Sequence, residues 1–97
     1  MTYRFLSPAL VEISDAAEFY EAQLPGLGAD FVDEIDEAIG LILRFPTAWS
    51  QLSDEYRYRS LRRFPYSIIY TVADDNCILV VSVFHQHREP LSWRRNL

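Results

Sequence analysis

Two histidines and a group of arginines carry most of the chemistry that this sequence offers. The imidazole group ordinarily titrates at about 6.5, so His85 and His87 could supply an acid and a base, while Arg57, Arg62 and Arg88 could hold a phosphate. The i, i+2 spacing puts both imidazoles on one side of a strand only if the strand runs through both. No paired carboxylate marks a tuned base. The plainer reading makes His85 an end-of-strand imidazole hydrogen-bonded to backbone and leaves His87 exposed. A metal site is not expected, because zinc would need a third and a fourth ligand and no Cys or His lies nearby in sequence. No cofactor is implied.

Arg57, Arg59, Arg62, Arg63 and Arg88, together with Trp93, form a second constellation, suited to binding an acidic surface. Each member also has a structural reading: Arg88 could pair with a carboxylate on a neighbouring strand, Arg62 and Arg63 could guard a sheet edge, and Trp93 could be a lid on the core. The chain contains no lysine, and its net charge is −5, which argues against a protein that coats nucleic acid with its whole surface. The charge is uneven. Residues 1–40 hold nine carboxylates and one arginine, leaving −8, and residues 41–97 hold eight arginines and five carboxylates, leaving +3. A two-faced molecule is expected.

The elements that must position these groups follow from periodicity. Tyr3–Leu6 reads as a short strand, and Ser7-Pro8 starts a helix with Ser7 as N-cap. Leu10, Ile13, Ala17, Tyr20 and Leu24 give its buried stripe, with Glu12, Asp15, Glu18 and Glu21 on a solvated face. Pro25-Gly26-Leu27-Gly28 turns the chain. A second helix is predicted over about Ala29 to Arg44, with Phe31, Ile35, Ala38 or Ile39, Ile42 and Phe45 inward and its acids Asp30, Asp33, Glu34, Asp36 and Glu37 crowded into the first half on a solvated face, near the positive end of the helix dipole. Trp49 to Glu55 reads as loop with some extended structure. Arg57 onward alternates as a polar strand; Tyr66–Val72 and Ile78–Phe84 read as central strands joined by the turn Asp74-Asp75-Asn76. The order β-α-α-β-β-β predicts an α+β fold, with a helical hairpin packed on one face of a small antiparallel sheet and a short C-terminal tail or helix over Leu91–Leu97.

Ninety-seven residues suffice for one domain, 1–97, with a single core. Cys77, the one cysteine, can form no internal disulfide and is expected as a small buried hydrophobe at a strand start. The longest apolar run is too short to span a bilayer and no secretory signal pattern opens the chain, so no membrane association and a cytoplasmic location are expected.

The element order, the segment Arg59-Ser60-Leu61-Arg62-Arg63-Phe64-Pro65-Tyr66 with Ile68 and Tyr70, and His85-Gln86-His87-Arg88-Glu89-Pro90 with Trp93 resemble toxins of the RelE/ParE superfamily from bacterial type II toxin–antitoxin modules, closer to the ParE branch. The resemblance covers essentially the whole chain. It implies a toxin held inactive by a cognate antitoxin that wraps an extended, partly helical tail around it. In the ParE branch it implies DNA gyrase as a target inhibited by binding; in the RelE branch, a ribosome-dependent endonuclease acting on mRNA by 2′-hydroxyl attack on the adjacent phosphate. Ser67 stands where such a nuclease often has arginine. The binding reading is therefore preferred, with the sheet edge and arginine face accepting an extended acidic or amphipathic segment.

Overall fold

The computed structural model describes residues 1–97. Five strands form one sheet in the order β1-β5-β4-β3-β2: β1 (Thr2–Phe5), β2 (Ser50–Gln51), β3 (Arg57–Ser60), β4 (Tyr66–Ala73) and β5 (Cys77–His85). Helices α1 (Ser7–Gln23) and α2 (Leu27–Arg44) follow β1, and a 3-10 helix (Ser92–Asn96) ends the chain. The architecture is α+β, as expected. The extended structure expected within Trp49 to Glu55 is the two-residue strand β2, whereas the parallel pairing of β1 with β5, where Thr2 lies opposite Cys77 and Phe5 opposite Val80, was not anticipated.

β4 and β5 form the central hairpin, closed by a turn in which Asn76 has φ 58°, a left-handed conformation that asparagine tolerates. A bulge interrupts their pairing: Ile69 lies opposite Ser82 and Tyr70 opposite Val80, so Val81 is the extra residue. The consequence is a change of parity. Val80 and Val83 both face the helices, and Val81 faces the other way. Under the helices the main core joins Phe31, Ile35, Ile39 and Ile42 of α2 to Ile68, Tyr70, Ile78, Val80 and Val83 of the sheet. Cys77 is buried at the start of β5.

The first helix sits differently from its predicted stripe. Ala9 and Ala16 are buried and Ile13, Ala17 and Tyr20 half-buried, whereas Leu10 and Leu24 are 51% and 58% exposed. Small side chains face inward because the two helices approach closely: a Cβ added to Gly28 would lie 2.6 Å from the Ala17 carbonyl oxygen. The N-cap is Leu6 rather than Ser7, and it makes no side-chain cap.

Three carboxylates expected on solvated faces are employed internally. Glu21 accepts the N–H groups of Gly26 and Gly28 (both 3.0 Å) where α2 begins. Glu12 accepts Ser82 Oγ (3.0 Å), the Val83 N–H (3.0 Å) and Asn96 Nδ2 (3.1 Å), replacing the strand partner that β5 lacks beyond the end of β1. Glu34 is buried on α2 beneath the β3–β4 connection. No helix is long and apolar enough to cross a membrane.

Candidate functional site

The face of the sheet away from the helices is built from β-strand alternation: Tyr58, Ile69 and Phe84 point there, together with the bulge residue Val81. The C-terminal 3-10 helix folds back on this face. Its Trp93 is 2% exposed, packs on Ile69 and Val81, and meets Tyr56 edge-on at 5.1 Å. Asn96 holds the helix down by donating to the Val81 carbonyl (2.9 Å) and to Glu12. Trp93 is thus a wall of the site and part of a small second core.

Beside Trp93 a groove of about 250 Å³ opens, walled by Leu52, Tyr58, Ile69, Phe84 and Pro90. Ser67, Gln86 and Arg88 supply its polar groups. Ser67 Oγ lies 3.1 Å from Ser60 Oγ and accepts Gln86 Nε2 at 3.4 Å, so the floor carries a short polar row. Arg88 is its one charged side chain.

The other arginines are not gathered with it. Arg57 lies opposite Tyr70 and Arg59 opposite Ile68, so both project on the helix side of the sheet. There Arg57 Nη1 donates to the Trp49 carbonyl (2.7 Å), and the Arg59 guanidinium stacks 4.2 Å from the Trp49 ring centroid. Arg62 and Arg63 belong to the connection after β3, not to the strand as the alternation predicts. Arg62 pairs with Glu37 at 3.6 Å, and Arg63 with Glu34 at 3.3 Å and Asp30 at 4.0 Å. The acids predicted to form a solvated helix face are the partners of these cations. The expected single arginine face is therefore divided among three places, and four of the five candidate side chains are taken up within the molecule: Arg57 by a backbone carbonyl, Arg59 by an aromatic ring, and Arg62 and Arg63 by carboxylates.

His85 closes β5 opposite Tyr66, half-buried, with its ring 5.0 Å edge-on from the tyrosine. Its Nδ1 accepts the His87 N–H at 3.0 Å, the backbone contact of the plainer expectation. Burial, then the neighbouring His87 and Arg88, lower its pKa below the ordinary imidazole value. The strand does not continue to His87, which is exposed; a turn closed by the Arg88 N–H on the His85 carbonyl (3.1 Å) brings the two rings to 5.1 Å. A wider groove of about 630 Å³ between α1 and β5 contains His85, Tyr66, Arg88, Asp15 and the exposed Phe19. Neither imidazole donates to a carboxylate, so no oriented acid–base pair is assembled. No three His, Cys, Asp or Glu side chains are grouped to hold a metal ion.

Sequence reasoning missed Leu52, Tyr58, Phe84 and Gln86 as groove residues and Glu12 and Asn96 as the clasp on the tail. Strand parity opposite Ile69 was the available signal for Tyr58; Leu52 reaches the site through irregular backbone and Asn96 through the folding back of the terminal 3-10 helix, which leave none.

Residues 3–90 match the family model described as ParE toxin of type II toxin-antitoxin system, parDE. No curated protein sequence matches the chain. Among solved structures it is similar to the chromosomal ParDE TA system from P. aeruginosa, with a TM-score of 0.76 and 16% identity over 88% of this chain and 95% of that one. It is also similar to the isolated E. coli RelE toxin, with a TM-score of 0.66 and 20% identity over 99% of this chain and 98% of that one. At such identities these two likenesses speak to the fold.

Proposed function

The chain belongs to the ParE toxin family of type II toxin–antitoxin systems, and from that membership we propose that it inhibits DNA gyrase by binding and is neutralised by a cognate antitoxin. The family match over residues 3–90 carries this reading. The site geometry supports it: the open face offers an apolar groove with an unpaired cation, and the two histidines lack the oriented partners that acid–base chemistry needs. Inhibition then comes from occupying a surface of the target, in the cytoplasm where gyrase works.

One observation favours a second reading, cleavage of ribosome-bound mRNA. His85, with its lowered pKa, is largely neutral near pH 7 and shares the α1–β5 groove with Tyr66 and Arg88. A neutral imidazole could take the 2′-hydroxyl proton while Arg88 holds the phosphate. Supercoiling by purified gyrase, in parallel with primer extension on mRNA from cells producing the protein, separates the two. The expected result is loss of supercoiling, restored by the antitoxin, with intact mRNA. Undiminished supercoiling with cuts at codon positions would replace the binding reading by the nuclease one.

A further inference from the structure

We infer that the open-face groove is where the toxin holds its target, and that it takes a single apolar side chain flanked by carboxylates from a protein segment. This deepens the binding reading above and rests on it. The groove is preformed. Trp93 is immobilised between Ile69, Val81 and Tyr56, and the clasp of Asn96 on Glu12 and Val81 fixes the helix that bears it. A rigid apolar recess with a polar rim is the geometry that concentrates binding energy on one buried side chain. At about 250 Å³ it is smaller than the ~300–1,000 Å³ pockets that enclose whole small molecules.

Charge sets what surrounds that side chain. Arg4, Arg62 and Arg63 each have a carboxylate within 4.0 Å, but Arg88, Arg94 and Arg95 have none, and all three are exposed. Arg88 lines the groove, and Arg94 and Arg95 follow its wall residue Trp93 directly. In a chain of net charge −5, the uncompensated Arg88 guanidinium on the rim of the apolar recess, with Arg94 and Arg95 on the helix that walls it, selects carboxylates in the partner. Single-stranded nucleic acid binds where a cationic groove runs beside aromatic faces open for base stacking. Here Trp93 is 2% exposed, and the Arg94 guanidinium lies over its ring at 4.8 Å.

The test uses Leu52→Glu and Arg88→Glu, two exposed positions, each checked for an unchanged thermal midpoint. Leu52 lines the open-face groove and not the α1–β5 groove, whereas Arg88 lines both. Each variant should raise the inducer level needed for growth arrest, and the concentration for half-inhibition of gyrase, at least tenfold, with the antitoxin affinity of L52E by calorimetry within about threefold of wild type. Unaltered arrest in L52E, or antitoxin affinity that falls with toxicity in that variant, overturns the inference; in the latter case the groove is the antitoxin's seat. Codon-specific mRNA cuts that disappear in L52E overturn it in favour of a nucleic-acid occupant. If wild type spares gyrase and mRNA but arrest still depends on Leu52 and Arg88, the gyrase reading falls and the groove assignment stands.

Discussion

The Glu34 carboxylate lies beneath the β3–β4 connection, where the N–H groups of Arg62 and Arg63 and the Arg63 guanidinium converge on it. Burial alone would raise its pKa, but these donors outweigh burial and hold it below the ordinary carboxylate value. Because the folded pKa is the lower one, Glu34 stabilises the fold fully above the unfolded value of about 4.3 and loses that contribution as pH falls through the folded value. Replacing Glu34 with Gln should cost about 1–3 kcal/mol in urea unfolding at pH 7, since buried donors lose a charged acceptor. The gap between variant and wild type should narrow below about pH 4; a pH-independent gap would assign the effect to packing. In the sequence Glu34 was one acid among five on a predicted solvated face. Helical position alone does not reveal that a loop 28 residues later folds over it.

Gly28 and Gly40 both lie in α2, yet neighbouring elements give them opposite roles. A Cβ at Gly28 would meet the Ala17 carbonyl at 2.6 Å and Glu21, whereas one at Gly40 meets nothing within 4 Å. Gly28→Ala should destabilise by roughly 1–3 kcal/mol through forced separation of the helices. Gly40→Ala should stabilise by roughly 0.5–1 kcal/mol, because alanine restricts the unfolded chain and favours helix. Thermal midpoints moving in opposite directions would verify the close α1–α2 approach; a harmless G28A would refute it. Both helices, the central hairpin and the turn at Asn76 were legible because their apolar spacing is strong. The rotation of α1 was not, since leucines dominate a periodicity count while the packing is decided by Ala9, Ala16 and Gly28. Likewise the parity switch at Val81 follows from a bulge, which a continuous apolar run conceals.

At the scale of the molecule, charge is sorted by pairing more than by face. The acids of α2 neutralise Arg62 and Arg63, Trp49 occupies Arg57 and Arg59, and the cations left without carboxylates at the C-terminal end are Arg88, Arg94 and Arg95. Family and fold could be read from two separated motifs and the element order. The working surface could not, because it depends on which arginines find internal partners and on a tail folding back across the sheet. On the function proposed above, this toxin acts by occupying its target, without breaking bonds. The double variant His85→Ala/His87→Ala tests that most directly, with half-inhibition of gyrase supercoiling and growth arrest both measured. Supercoiling inhibition within about threefold of wild type and undiminished arrest are predicted; abolished arrest with the fold intact would contradict the account and make the imidazoles catalytic.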